Sequence, residues 1–314
     1  MSRAVVFAYH NVGVRCLKVL LAHGVEIPLV VTHRDNPAET IWFGSVAQVA
    51  GDYGLETITP DDPNTPEILA KVRDAAPDFL FSFYFRQMLS AEMLGTAPRG
   101  AFNMHGSLLP RYRGRVPVNW AVLRGERETG ATLHAMTVKP DRGAIVDRQS
   151  VPILPDDTAA EVFDKVTVAA EMTLDRCLPA LLDGSAVLRE QDPAQASYFG
   201  GRKPEDGRID WRAGARAIHD LVRAVAPPYP GAFTRLEHGT LRVLRTLPVR
   251  TAGQAGHAMG AASGRAVLFA RDGQLFAHCA DGGVLRVLAA DFDGEPLDAA
   301  AFERRFGPVL TMPA

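Results

Sequence analysis

The chain has 314 residues, 47% of them hydrophobic and 22% charged, with a formal net charge of -2 at pH 7. A chain of this length can bury a large core and predicts about two domains. The near-neutral charge argues against a nucleic-acid partner, because proteins that hold nucleic acids by their phosphates cluster Lys and Arg. No apolar run approaches the ~20 residues of a membrane-spanning helix, so no membrane partner is expected.

The cysteines favour neither a disulfide framework nor a thiolate metal site. Cys16, Cys177 and Cys279 are far apart, odd in number and form no C-x-x-C pair. The first residues run directly into a strand pattern rather than into the apolar region of a signal peptide. We therefore expect a cytoplasmic protein without a bound metal, and the sequence leaves its oligomeric state open.

The first part of the chain alternates short apolar runs with helical segments. Strands are predicted at residues 4–8, 27–32, 78–83 and 100–105, and helices at 12–23, 45–53, 66–76 and 117–124. This alternation predicts an α/β fold with a doubly wound, mainly parallel, Rossmann-like sheet, whose ligands lie at the carboxyl ends of the strands. The first strand-to-helix turn lacks G-x-G-x-x-G, and no P-loop pattern occurs, so a nicotinamide or nucleoside triphosphate cofactor is not favoured.

The second part predicts a smaller, β-rich domain. A long helix capped at residues 156–158 and stopped by Gly184 closes the first domain. A helix at 213–226 and a series of short strands then predict a small β-barrel or curled sheet, with a flexible loop at 253–264. The predicted division is a catalytic domain at 1–190, a connector at 191–207 and a β-barrel-like domain at 208–314.

Two polar residues on the fourth predicted strand indicate catalysis. Asn103 and His105 are two residues apart, so their side chains point to the same side of the strand. His105 can exchange a proton near neutral pH, and Asn103 can donate an N–H to an oxygen that becomes negative. Asp141, if close to His105, would favour its protonated form and select its tautomer. This set suits attack by a neutral amine on a carbonyl, and Ser107, in a turn before Pro110, is not needed as a nucleophile.

Each of these residues also has a structural interpretation. His105 could be a buried histidine with satisfied hydrogen bonds, and Asp141 could cap a turn. Arg113 and Arg115 could belong to a solvated basic turn. His134, on a predicted strand, is favoured as a packing residue in the core or behind the site.

A metal hydrolase is a further alternative. His105, His134 and Asp141 could together form a set of two histidines and one carboxylate. This interpretation leaves Asn103 without a role, and the sequence has no H-E-x-x-H helix. It is therefore not favoured.

The motif resembles the signature of a known family. Residues 103–110, Asn-Met-His-Gly-Ser-Leu-Leu-Pro, followed by Asp141-x-Gly143, are similar to the folate-dependent formyltransferases, which move a formyl group from 10-formyltetrahydrofolate to an amine. Residues 5–10, 32–37, 81–86 and 230–233 resemble the members that act on UDP-4-amino-4-deoxy-L-arabinose in lipid A modification. The resemblance extends to about residue 245 and implies that Asn103, His105 and Asp141 are catalytic.

The resemblance leaves three acceptors to compare: a nucleotide-linked amino sugar, methionyl-tRNA and glycinamide ribonucleotide. Family members that act on initiator tRNA carry a basic insertion after the second strand, whereas residues 32–40 here are few and mixed in charge. Members that act on glycinamide ribonucleotide are shorter and generally lack such a second domain. The expected reaction is therefore formylation of a nucleotide-linked amino sugar, with methionyl-tRNA formylation or non-catalytic folate or nucleotide binding as alternatives.

The resemblance also implies binding residues and a mechanism. Protonated His105 and Asn103 would stabilise the tetrahedral oxyanion, and His105 or a water held by Asp141 would take the proton from nitrogen. The sugar's diphosphate needs cationic partners, for which Arg113 and Arg202 are candidates. Related arabinose enzymes are commonly fused to a decarboxylase domain, for which the 314 residues of this chain leave no room, so a free-standing enzyme is expected here. The folate would be held largely through backbone groups of Gln87, Met88, Leu89, Arg115, Thr137, Val138, Lys139, Pro140 and Asp141.

Overall fold

A computed structural model describes residues 2–37, 39–249 and 265–313 of the chain. The loop predicted at 253–264 lies outside these residues. By its internal contacts the chain forms two compact units. The first consists of Met1–Val118, Glu128–Pro152 and Phe163–Gly201, and the second of Asn119–Arg127, Ile153–Val162 and Arg202–Ala314.

The first unit is built on a seven-stranded sheet with the order β3-β2-β1-β4-β5-β7-β8. Strands β1 to β5 run parallel, whereas β7 is antiparallel to β5, and β8 to β7. A separate pair joins β6 to β9. The strands are β1 (Arg3–Ala8), β2 (Glu26–Val31), β3 (Thr57–Ile58), β4 (Phe79–Phe83), β5 (Ala101–His105), β6 (Arg113–Gly114), β7 (Glu128–Ala135), β8 (Ile145–Pro152) and β9 (Tyr198–Phe199).

The predicted mainly parallel, doubly wound sheet is confirmed. The strand order reverses between β1 and β4, and in such sheets ligands bind outside the carboxyl ends of the strands at this point. The central strands are buried on both faces, since all five residues of β4 are inaccessible or nearly so. Burial of large side chains such as Phe79, Phe81 and Phe83 contributes roughly 2 kcal/mol each.

The helices begin where the sequence offers side-chain caps. Ser45, Thr65 and Ser90 each accept a backbone N–H in the first turn of the following helix. Thr158 and Glu161 bond reciprocally at the start of the long helix, as in a capping box. The helices are α1 (His10–Ala22), α2 (Val46–Asp52), α3 (Pro66–Asp74), α4 (Ala91–Leu94), α5 (Pro117–Leu123), α6 (Ala159–Asp183), α7 (Ala215–Val225) and α8 (Ala299–Phe306).

The second unit contains a curled, antiparallel sheet, as predicted. Its order is β10-β11-β14-β13-β12-β16, with β15 paired to β14. A separate hydrophobic core, which includes Trp211, Ile218 and Phe302, lies within this unit. The strands are β10 (Ala232–Leu236), β11 (Gly239–Pro248), β12 (Val267–Arg271), β13 (Gln274–His278), β14 (Val284–Phe292), β15 (Glu295–Pro296) and β16 (Val309–Thr311).

No helix in the part of the chain that the structure describes combines the length and apolar character needed to cross a membrane.

Candidate active site

Strand β5 carries Asn103 and His105 at the edge where the parallel part of the sheet meets β7. In the register of these antiparallel strands, Asn103 lies opposite His134 and His105 opposite Thr132. Paired residues on one face of a sheet have neighbouring side chains. The amide nitrogen Nδ2 of Asn103 is accordingly 3.2 Å from Nε2 of His134.

The ring of His105 is buried and has a defined orientation. Its Nε2 is 2.8 Å from the backbone oxygen of Tyr112. A carbonyl oxygen can only accept, so Nε2 carries a hydrogen and Nδ1 is the nitrogen that gains or loses a proton. Nδ1 lies 3.6 Å from Oδ1 of Asp141, within reach of an ion pair when His105 is protonated.

The turn after β5 is held by hydroxyl groups. Ser107 is fully buried, and its Oγ donates to the backbone oxygen of Arg111 at 2.7 Å. Thr132 donates to the backbone oxygen of Ser107 at 2.6 Å, which ties the turn to β7. A Cβ at Gly106 would lie 2.0 Å from the hydroxyl oxygen of Tyr84, so a larger residue there would require the Tyr84 side chain to move. Ser107 thus supports the turn that carries the carbonyl partner of His105.

Asp141 reaches His105 from the loop between β7 and β8. Its backbone has a positive φ of 56°, a left-handed conformation that aspartate adopts more readily than most residues. The loop lies directly on β7, since a Cβ at Gly143 would be 1.8 Å from the backbone oxygen of Ala135. Oδ2 of Asp141 accepts the backbone N–H of Gly114 at 2.8 Å.

The charge of Asp141 is stabilised by its surroundings. Burial alone would raise the pKa of this carboxyl, but the charge of His105, the contact with His134 and the N–H of Gly114 together outweigh it. The pKa of Asp141 consequently lies well below its ordinary value. Asp141 is therefore an anion throughout the physiological range.

His134 is a fourth member of this cluster. Its Nδ1 is 2.8 Å from the backbone oxygen of Ala135, so Nδ1 carries a hydrogen and Nε2 faces the site. Nε2 is 3.6 Å from Oδ1 of Asp141 in addition to its contact with Asn103. The side chain is 2% exposed, so the ring is buried beside Asn103 and Asp141, and its predicted packing role stays a prediction. The β5–β7 register brings it to Asn103, and no local sequence pattern encodes that register.

The first segment predicted to bind folate follows β4. Leu89 is buried in the core cluster of the sheet, whereas Met88 is 54% exposed and its backbone oxygen accepts an N–H from Asn64. Gln87 donates to the backbone oxygen of Asp61. Its Oε1 is buried and has no hydrogen-bond partner among the described residues. That oxygen can accept an N–H from a ligand.

The remaining predicted folate residues lie on two surface segments. Thr137, Val138 and Lys139 are exposed after the end of β7, and Thr137 donates to the backbone oxygen of Lys139. Pro140 is half-buried next to Asp141. Arg115 is exposed, and its backbone N–H bonds to β9 at Phe199. A role for these residues in folate binding stays a prediction.

The two arginines predicted to bind a diphosphate have different surroundings. Arg113 is 7% exposed, and its Nε and Nη2 donate to Oε1 of Gln191 at 3.2 and 2.7 Å. Arg202 belongs to the second unit, where its guanidinium lies over the ring of Trp120 and donates to the backbone oxygen of Asp206. Burial lowers the pKa of Arg202. Substrate binding by either arginine stays a prediction.

An aromatic cluster that was not predicted from the sequence lies at the carboxyl end of β1. The ring of His10 is stacked on Phe43 at 3.8 Å and makes edge contacts with Trp42 and Phe163. Burial, reinforced by the charge of Arg86, lowers the pKa of His10 to about 3, so the ring is neutral. The aromatic residues in the flanking loops are the signal that could have revealed this cluster.

No group of three or more His, Cys, Asp or Glu side chains is placed to hold a metal ion within residues 2–37, 39–249 and 265–313. The cluster of Asn103, His105, His134 and Asp141 instead offers amide N–H groups, an imidazole that can hold or release a proton, and a fixed negative charge. Such groups can stabilise a developing oxyanion and exchange a proton with a reacting nitrogen.

Comparison with known protein families assigns the chain to one of them. The formyl transferase family matches residues 13–178, more than half of the chain. The chain belongs to the formyl transferase family. The C-terminal domain of formyl transferases matches residues 202–307, which lie within the second unit. The motif of residues 103–110 therefore lies in the formyl transferase domain.

Solved structures share the fold over almost the whole chain. An N-formyltransferase from Helicobacter canadensis, in complex with folinic acid and dTDP-3-aminofucose, is 18% identical, with a TM-score of 0.70 over 91% of this chain and 99% of that one. WlaRD, a sugar 3N-formyltransferase solved with dTDP and 5-N-formyl-THF, is 20% identical, with a TM-score of 0.70 over 94% and 99%. HypX from Aquifex aeolicus with tetrahydrofolic acid is 17% identical, with a TM-score of 0.60 over 96% of this chain and 46% of that chain.

Proposed function

We propose that this formyltransferase moves the formyl group of 10-formyltetrahydrofolate to the amine of a nucleotide-linked amino sugar. The observation that carries the proposal is the meeting of Asn103, His105 and Asp141, with Asp141 3.6 Å from the proton-exchanging nitrogen of His105. Among similar folds, two structures were solved with a folate and with dTDP or a dTDP-amino sugar. UDP-4-amino-4-deoxy-L-arabinose, a precursor for lipid A modification, is the specific acceptor that we propose from the sequence resemblance.

The reaction assigns one role to each side chain. The neutral amine attacks the formyl carbon, a C–N bond forms, and the formyl oxygen becomes negative. Asn103 and protonated His105 stabilise that oxygen. The bond from the carbon to the folate nitrogen then breaks as this nitrogen gains a proton, while the attacking nitrogen loses one. Nδ1 of His105 is the group that exchanges these protons, and Asp141 balances the charge of the imidazolium.

The folate would be held near the loop that follows β4 and the segment at 137–140. The buried Oε1 of Gln87 supports this placement, because it lacks a hydrogen-bond partner among the described residues. A buried acceptor in that state is unfavourable by about 1–3 kcal/mol unless a donor reaches it. The N–H groups of a pterin ring are donors of the required kind.

A small anionic acceptor also agrees with the charge of the chain. The segment between β2 and α2 is the place where family members that act on initiator tRNA carry a basic insertion. It contains Asp35, which accepts from the Tyr9 hydroxyl, and Glu39, which pairs with Arg86. These acids disfavour a polyanion at this position. For the diphosphate of the acceptor we propose Arg202, whose Nη1 is buried without a hydrogen-bond partner among the described residues.

The test is a direct assay of the protein with 10-formyltetrahydrofolate and a panel of UDP-, dTDP- and GDP-linked amino sugars. Release of tetrahydrofolate is followed by absorbance, and the mass of the product is measured by mass spectrometry. We expect a gain of one formyl group, 28 mass units, on UDP-4-amino-4-deoxy-L-arabinose or a close relative.

Turnover with a dTDP-linked sugar alone would retain the reaction and reject the specific acceptor. Tight folate binding without turnover of any amine would reject the proposed catalytic activity and favour a non-catalytic binding protein.

A further inference from the structure

Gln191 lies between α6 and β9 and is 8% exposed. Its Nε2 donates to the backbone oxygens of Asp141 and Gly143 at 2.9 and 2.7 Å. Its Oε1 accepts both the Nε and the Nη2 hydrogens of Arg113. A carboxamide has two N–H donors and one oxygen with two lone pairs, so all four positions are used and the amide has a single orientation.

These bonds join the two segments that hold Asp141. Arg113 and Gly114 form β6, and the N–H of Gly114 donates to Oδ2 of Asp141 at 2.8 Å. Gln191 bonds to the main chain of the same aspartate. Asp141 is thus held on two sides. β6 binds its carboxylate, and Gln191 binds its backbone oxygen.

The conformation of Asp141 makes this double support necessary. Its φ of 56° is sparsely populated by residues other than glycine, and such a backbone persists only where its surroundings determine it. Without the two N–H groups of Gln191, the loop loses bonds at Asp141 and at Gly143 together. The backbone can then relax, and the carboxylate would move away from His105.

We propose that Gln191, braced by Arg113, is a positioning residue that sets the distance between Asp141 and His105. This inference rests on the proposed function for the role of Asp141. Gln191 acts through the loop and touches no reacting atom. A misplacement of about 1 Å at a catalytic group can lower turnover by roughly a hundredfold. In this arrangement Arg113 serves as an anchor for Gln191 rather than as a ligand of the substrate.

The principal variant is Gln191→Glu. It preserves the shape of the side chain and the acceptor for Arg113, but replaces the two N–H donors by an oxygen that faces two backbone oxygens. The matched control is Gln195→Glu in the same segment, because Gln195 is exposed and its side chain bonds locally, to Asp192. We expect kcat to fall about tenfold to a hundredfold in Gln191→Glu, with both KM values changed less than about threefold. The control should stay within about twofold of wild type.

A double-mutant cycle separates positioning from general destabilisation. If Gln191 acts through Asp141, the change Gln191→Glu should lower kcat little further when Asp141→Asn is already present. An equal loss in both backgrounds would overturn the proposal. For Arg113, Arg113→Lys should lower kcat, whereas a selective rise in the KM of the nucleotide sugar would assign it to the substrate instead.

Hydrogen exchange of the Gly114 amide tests the same point without turnover. This N–H is bonded to Asp141, so its exchange should become at least about tenfold faster in Gln191→Glu and in Gln191→Met, but not in Gln195→Glu. Unchanged exchange in both Gln191 variants would overturn the positioning role even if the kinetics changed. If no amine is formylated by wild type, the proposed reaction fails, yet this measurement still decides whether Gln191 positions Asp141.

Discussion

At the scale of single residues, the site depends on which nitrogen of each histidine is already bound. Backbone carbonyls accept from Nε2 of His105 and from Nδ1 of His134, so the opposite nitrogens face Asp141. One oxygen of Asp141 is 3.6 Å from both nitrogens, and its other oxygen is held by Gly114. The carboxylate of Asp141 therefore lies next to both rings, where its negative charge can balance an imidazolium during a step that removes and returns a proton.

The first prediction concerns His105. His105→Ala should lower kcat at least about a hundredfold, because a positioned acid/base group typically contributes 10²- to 10⁴-fold. Binding of the folate, measured by fluorescence quenching or calorimetry, should change little. His238→Ala, at a histidine that is 85% exposed in the second unit, serves as the control and should retain full turnover. Near-normal turnover in folded His105→Ala would remove the central assignment.

The second prediction concerns the charge of Asp141. Its folded-state pKa is depressed, so the ionised carboxylate stabilises the fold at every pH above its unfolded pKa of about 4. The stabilisation is lost as the pH falls through the folded-state pKa. Asp141→Asn should therefore lower the free energy of unfolding at pH 5, and the deficit relative to wild type should be about 1 kcal/mol smaller at pH 3.

Urea unfolding of both proteins at the two pH values measures this difference. Asp272→Asn is the matched control, since Asp272 also has a positive φ but its side chain is 87% exposed. It should show little deficit at either pH. A deficit in Asp141→Asn that is equal at pH 5 and pH 3 would mean that the charge of Asp141 is not stabilised by the fold.

At the scale of elements, the sequence predicts best the strands that have a strong local hydrophobic pattern. The strands predicted at 4–8, 27–32, 78–83 and 100–105 are present with ends shifted by one residue at most, because each is a buried apolar run. The two-residue spacing of Asn103 and His105 was therefore enough to place both on one face. Their meeting with Asp141 required the β5–β7 register and the loop after β7, which no local pattern encodes.

Other elements were missed although they carry local signals. No helix was predicted near the end of the chain, where α8 begins after Asp298 and ends before Gly307. The side chain of Asp298 caps this helix, and Gly307 has a φ of 78°. The sequence places Gln191 at the start of a connector. Its four bonds are to residues 48 to 78 positions away in sequence, so no local pattern indicates them.

The third prediction concerns the turn that follows β5. Gly106→Ala should reduce the stability by about 1–3 kcal/mol and also lower kcat, because the new Cβ would lie 2.0 Å from the hydroxyl oxygen of Tyr84. Tyr84→Phe in the same chain should recover part of the stability, since the next atom of Tyr84 is 3.1 Å away. Urea unfolding measures both effects.

Gly51→Ala is the control for this substitution. Gly51 lies in α2, and a Cβ there meets nothing within 4 Å, so alanine should stabilise the helix by about 0.5 kcal/mol. If Gly106→Ala were as stable as wild type, the close approach of Tyr84 to the turn would not constrain the site.

At the scale of the whole molecule, charge bears on the choice of acceptor. The net charge of the chain is -2. Of the charged groups between β2 and α2, Arg34 bonds to Thr59, while Asp35 and Glu39 bond to Tyr9 and Arg86. These charged groups bond to residues of the first unit and do not form a basic surface. This distribution suits a small anion held by a few groups better than a long polyanion.

The last prediction compares the two acceptors under the same conditions. The kcat/KM for the nucleotide amino sugar should exceed that for methionyl-tRNA by at least about a hundredfold at physiological salt. It should change only a few-fold between 50 and 200 mM salt, because a protein that makes 6–10 phosphate contacts to a nucleic acid would lose roughly 10³- to 10⁵-fold in affinity over that range. Initiator tRNA that carries no amino acid, added at about 10 μM, should not inhibit formylation of the sugar. Strong inhibition that disappears at high salt, together with faster formylation of methionyl-tRNA, would transfer the assignment to tRNA, because release of counterions from a polyanion is the process that gives such a salt dependence.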